Sequence, residues 1–105
     1  MPDADTVMAL MREKAEVLRR LGYRLRIDLT DTEESVLLDA TGPEPVIAAA
    51  DAETEADSVL RLTSDNLGRL LDGKLSPMLA FSTGRLRVEG SKGVALKLAS
   101  LLDEA

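Results

Sequence analysis

The side chains available for chemistry in this 105-residue chain are carboxylates, amines and guanidiniums, because it has neither cysteine nor histidine. That composition excludes a thiolate nucleophile, a Ser–His–Asp triad and a zinc site of the usual kind. A carboxylate acting as base on an apolar substrate would be Asp28 or Asp39, and either would need a raised pKa. Asp28 lies in a run where Tyr23, Leu25, Ile27 and Leu29 alternate with Arg24, Arg26, Asp28 and Thr30. It therefore falls on the polar face of a strand, and catalysis is not expected. Arg24 and Arg26 share that face, spaced as a clamp on an anionic head group would be. Gly90-Ser91-Lys92-Gly93 has the spacing of a backbone-clamping loop, but a strand-to-helix turn needs glycine there in any case. Glu33-Glu34 reads as a solvated turn. Neither a metal nor a cofactor is expected.

Composition narrows the partners. The aromatic residues are Tyr23 and Phe81, and there is no tryptophan. Too few rings to stack on bases, with a net charge of −6, argue against nucleic acid. The charge is uneven. Residues 12–26 hold six basic and two acidic side chains, whereas residues 27–57 hold ten acids and no base. The basic segment is the one suited to a transient contact with an anionic lipid surface. The plainer alternative is a pair of solvated faces that attract each other. No stretch reaches the roughly 18 apolar residues of a membrane span. The start, Met1-Pro2-Asp3-Ala4-Asp5, is acidic where a secretory signal is basic and then apolar, so a cytoplasmic location is expected.

The elements that must position these groups follow from periodicity. Val7, Met8, Met11, Ala15, Leu18 and Leu21 recur at steps that sum to one helical stripe, predicting a helix over 5–21 closed by Gly22. Strands are expected over 23–29, 35–40, 46–50 and 58–63, with a turn at Thr41-Gly42-Pro43-Glu44-Pro45. Thr63 or Ser64 caps a short helix holding Leu67, Leu70 and Leu71, and Gly73 closes it. Ser76-Pro77 starts another, because serine caps and proline suits the first helical position. Arg85 to Glu89 alternates as a fifth strand, and residues 93–103 form a last helix with Val94, Leu98, Leu101 and Leu102 on one side. Strand runs separated from helix runs predict an α+β fold: a five-stranded, mostly antiparallel sheet with helices on one face, in one domain over 1–105.

Residues 73–90 read Gly-Lys-Leu-Ser-Pro-Met-Leu-Ala-Phe-Ser-Thr-Gly-Arg-Leu-Arg-Val-Glu-Gly, and Gly93-Val94-Ala95-Leu96-Lys97-Leu98 follows. This run resembles the sterol carrier protein 2 family, whose members show G-K-L-x-P-x-x-A-F-x-x-G and then a helix of the A-L-K-L type. Ala56 to Thr63 is similar to the family's A-D-x-x-[I/L]-x-[L/F]-[S/T] strand, so the resemblance covers about 22–102. It implies an apolar cavity between sheet and helices that binds a fatty acid, fatty acyl-CoA, sterol or isoprenoid for transfer or presentation, without catalysis. The alternative it carries is a regulatory or assembly module, such as a quinone-synthesis accessory factor. Such a module works with a partner enzyme, and its pocket is vestigial or presents intermediates.

The candidate lining residues are Met8 and Met11 on the first helix; Leu71, Leu75, Met78, Leu79 and Phe81 on or beside the short helices; and Leu98, Leu101 and Leu102 on the last. Aliphatic walls re-pack around varied shapes, methionine most readily. A pocket of about 300–500 Å³ for a long acyl chain would cost on the order of 10 kcal/mol to leave dry and empty. A domain of this size has about 5–15 kcal/mol in all. Such a hollow must be occupied, hydrated or partly collapsed.

Overall fold

Four strands form within a residue of where the sequence places them and the fifth starts later, and pairing follows the apolar face. The computed structural model describes residues 3–104; Met1, Pro2 and Ala105, the ends of the expected domain, lie outside the described residues. The strands are β1 (Arg24–Leu29), β2 (Glu34–Asp39), β3 (Val46–Ala50), β4 (Ser58–Leu62) and β5 (Arg87–Gly90). They make one sheet in the order β3-β2-β1-β4-β5. All neighbours are antiparallel except β1 and β4, which run parallel with Ile27 opposite Leu60. The β3–β4 link, residues 51–57, returns over the face that carries Arg26, because the Arg26 guanidinium donates to the Ala52 and Thr54 carbonyls.

The helices cover the opposite face. The expected first helix is divided into α1 (Ala4–Glu13), α2 (Ala15–Leu18) and a 3₁₀ turn at Arg19–Leu21 that ends on left-handed Gly22. Neither glycine nor proline marks the break at Lys14. Its cause is tertiary: α1 packs on α3, β2 and β3, while α2 and the turn pack on α5. A straight helix could not bury both ends of the stripe. Then come α3 (Ser64–Leu71), α4 (Pro77–Ser82) and α5 (Lys92–Glu104). The Thr63 hydroxyl caps α3 by accepting from the Asn66 amide. Ser76 caps α4 from the Leu79 amide, with Pro77 in its first turn.

The fifth strand begins two residues later than its alternation predicts. The Arg85 and Leu86 amides both donate to the Ala80 carbonyl, closing α4, so neither is free for the ladder. Between sheet and helices the space is filled by the chain's own side chains: Met11, Leu18, Leu21, Leu25, Ile27, Leu29, Leu38 and Leu60 are all buried. Of the three states expected of a large hollow in so small a fold, occupied, hydrated or partly collapsed, packing of this kind corresponds to the last. Among the described residues, no helix is long and apolar enough to cross a membrane.

Candidate functional site

The largely apolar opening lies at one end of the fold, between α4, β5 and α5. It is a groove of about 250 Å³ lined by Pro77, Met78, Phe81, Leu86, Val88, Lys92, Ala95, Leu96 and Ala99. Its far wall is one face of α5: Lys92, Ala95, Leu96 and Ala99 stand at i, i+3, i+4 and i+7. The alanines leave the room. Its floor is Val88, on the same sheet face as Ile27 and Leu60. Its near wall is α4, which turns Pro77 and Ala80 inward and leaves Met78, Leu79 and Phe81 about half exposed. Lys92 is the single charged side chain on the wall. Over the β5 edge the groove meets a polar recess that shares Phe81, Leu86, Val88 and Lys92 and adds Arg61, Arg87 and Glu89.

The expected lining residues separate into three groups. Met78 and Phe81 line the groove. Leu79 is on the same helix, exposed and outside it. Met8, Met11, Leu71, Leu75, Leu98, Leu101 and Leu102 are buried in the core. Sequence reasoning passed over Leu86, Val88, Ala95, Leu96 and Ala99. The signal was a second α5 stripe, small rather than large, rotated from the leucine stripe.

Arg24 and Arg26 stand on the other side of the sheet, engaged with protein partners. Arg24 Nε donates to Asp39 at 3.1 Å. Arg26 is buried and makes four bonds, two to Asp28 (3.0 and 3.1 Å) and two to carbonyls of the 51–57 link. Ser35 also donates to Asp28, and Arg61 bridges towards Asp28 (3.9 Å) and Glu89 (3.2 Å). The face expected to be open is thus partly roofed. Neither candidate base suits the task. The Thr41 hydroxyl and amide, then Arg24, hold the Asp39 carboxyl below its ordinary range, the reverse of what a base here needs. Asp28 is tied to Arg26 and Ser35, one sheet thickness from the groove.

Comparison with known proteins agrees with this architecture. Residues 4–103 match the SCP-2 sterol transfer family. Hydroxysteroid dehydrogenase-like protein 2 of Xenopus tropicalis is 31% identical over 67 residues, which is 64% of this chain and 16% of that protein. The chain therefore corresponds to a small part of the curated relatives it matches. Among solved structures, apo sterol carrier protein 2 from Yarrowia lipolytica superposes with a TM-score of 0.68 at 23% identity, over 97% of this chain and 88% of that one. The UbiJ-SCP2 ubiquinone synthesis protein gives 0.69 at 20% identity, over 99% and 94%. These structures share the mixed α+β sheet and its helical layer. The chain belongs to the SCP-2 sterol transfer family, and lipid binding and transfer is the general activity of that family.

Proposed function

We propose that this protein binds one apolar lipid in the groove between α4, β5 and α5, and carries or presents it unchanged. The observation that carries the reading is an open apolar groove, with one lysine at its wall, in a fold whose interior is otherwise closed. The groove is smaller than the ~300–1,000 Å³ of typical ligand sites. That favours an acyl or isoprenoid chain, free or as a thioester, over a rigid sterol. Met78 and Phe81 are exposed enough to swing aside as the chain enters. Each buried methylene contributes about 0.8 kcal/mol, so affinity climbs about fourfold per carbon until the groove is full. No step of bond-making is assigned, since Asp28 is bonded to Arg26 and Ser35, and Asp39 to Thr41 and Arg24, on the other face of the sheet. A cytoplasmic setting and hand-over to a partner enzyme belong to the same proposal. Relatives in which the matching part is a fraction of a longer protein support the hand-over.

The alternative, an assembly or quinone-synthesis accessory module, predicts an apolar stripe of α5 left open for a partner. The Val94, Leu98, Leu101 and Leu102 stripe is buried, and the apolar face of α5 left open is Ala95, Leu96 and Ala99, which is the wall of the groove itself.

The test is titration of a fluorescent fatty acid against the native chain and Ala99→Phe, which fills the groove from α5. The expected result is at least a tenfold loss of affinity with an unchanged melting temperature. Unchanged affinity would remove the groove as the binding site.

A further inference from the structure

Three observations converge on the groove-bearing end of the molecule. Among the described residues, six large apolar side chains are exposed: Tyr23, Val46, Met78, Leu79, Phe81 and Leu96. All but Val46 sit on α4 or α5 or, for Tyr23, beneath Lys97 of α5, whose Nζ lies 5.4 Å from the ring centre. Exposing three such side chains on a six-residue helix is costly in water unless something covers them.

Secondly, residues 74–97 carry five cations and one acid, Glu89, in a chain of net charge −6. Glu89 is already paired with Arg61. Arg85, Arg87 and Lys92 have no carboxylate partner among the described residues, and they border recesses shared with Phe81 or Gly84. By contrast, the basic run at 12–26 is largely spent: Arg19 pairs with Glu16, Arg24 with Asp39, Arg26 with Asp28, and Arg12 donates to the Ile47 carbonyl.

Thirdly, the ten acids of residues 27–57 lie on β1, β2 and the loops around β2, β3 and β4, whereas the free cations flank β5. Four strand spacings separate the β3 and β5 edges, about 19 Å. The β5 side of the sheet therefore combines cations that lack a carboxylate partner with the apolar patch, while most of these acids lie towards β1, β2 and β3.

We propose that this end is a peripheral docking surface for an anionic lipid bilayer. The α4 side chains Met78, Leu79 and Phe81 enter the interface, and Arg85, Arg87 and Lys92 contact head groups. The acidic end is repelled outward, so docking aims the groove mouth at the bilayer and a lipid can enter without crossing water. The docking itself does not require that the groove bind a lipid, which lets the two readings fail separately.

The experiment is flotation of the full chain with phosphatidylcholine vesicles and with vesicles containing phosphatidylglycerol. The native chain should float with the anionic vesicles and release as salt is added. Each cation near such a surface is worth about 1 kcal/mol, or about fivefold. Arg85→Glu with Arg87→Glu should therefore weaken binding by at least about 30-fold. Leu79→Ser, an exposed site outside the groove, should weaken it about tenfold through lost apolar insertion. Both variants should keep the native melting temperature and, in vesicle-free solution, the native fatty-acid affinity. Equal binding to the two vesicle types, or native-like flotation of both variants, would overturn the proposal. So would a dimer in vesicle-free solution that Leu79→Ser dissociates, since a second copy would then cover the patch.

Discussion

Arg26 grips the Asp28 carboxylate through two bonds, Nε to Oδ1 at 3.0 Å and Nη2 to Oδ2 at 3.1 Å, from two residues away on the same strand face. The pair is roofed by the 51–57 link, whose carbonyls accept the remaining Arg26 bonds. A guanidinium so fully engaged is a structural bracket between strand and crossover.

Arg26→Met should therefore lower stability by about 2–4 kcal/mol, because it leaves two carbonyls without their donor and Asp28 with only Ser35 and the more distant Arg61. Fatty-acid affinity of the folded variant should stay native, since the groove is on the other face of the sheet. Denaturant melts and ligand titration read the two quantities. A loss of affinity with native stability would restore Arg26 as a head-group clamp.

Phe81→Ala should behave in the opposite sense. The ring is half exposed and lines the groove, so its removal costs little core burial but removes wall from the site. Affinity for a fatty acid should fall about tenfold while the melting temperature moves by no more than a few degrees. A large drop in melting temperature with native affinity would mark the ring as core.

Acid should weaken the fold through carboxylates held below their ordinary range. Burial opposes ionisation of Asp31, but the Ser64 hydroxyl (2.6 Å) and amide (2.9 Å) outweigh it and lower the pKa. Asp39 is lowered by Thr41 and Arg24. A depressed folded-state pKa gives stability that is complete above the unfolded value, near 3.8 for Asp, and is lost as pH falls through the folded one. Stability should thus be flat from neutral pH to about 5 and decline below about 4. Ser64→Ala should flatten that decline. An unaltered acid limb would show that the Ser64 hydroxyl does not set it.

Two glycines in the left-handed region should differ in tolerance. At Gly90 an added Cβ would lie 3.0 Å from the Asp57 carbonyl oxygen, whereas at Gly84 nothing lies within 4 Å. Both have positive φ, +80° and +77°. Gly84→Ala should cost about 1 kcal/mol from conformation alone. Gly90→Ala should cost at least twice that, because the Asp57 backbone must also yield. Equal losses in urea melts would mean that the β4–β5 edge is soft.

The secondary structure and the family were largely readable along the chain, since both rest on local information. Strict alternation from Tyr23 to Thr30, the caps at Thr63 and Ser76, and the run from Gly73 to Gly90 each act over a few residues. What needed three dimensions was the choice among apolar residues that look equivalent in one dimension. Leu98 and Ala95 are three positions apart on α5, yet one faces the core and the other the groove. The large residues went to the interior because burial free energy grows with apolar area, and the groove remained where alanines could not fill it. The same holds for charge. Arg26 and Arg87 read alike in sequence; a crossover loop that passes over β1 and misses the β5 edge buried one and left the other facing solvent.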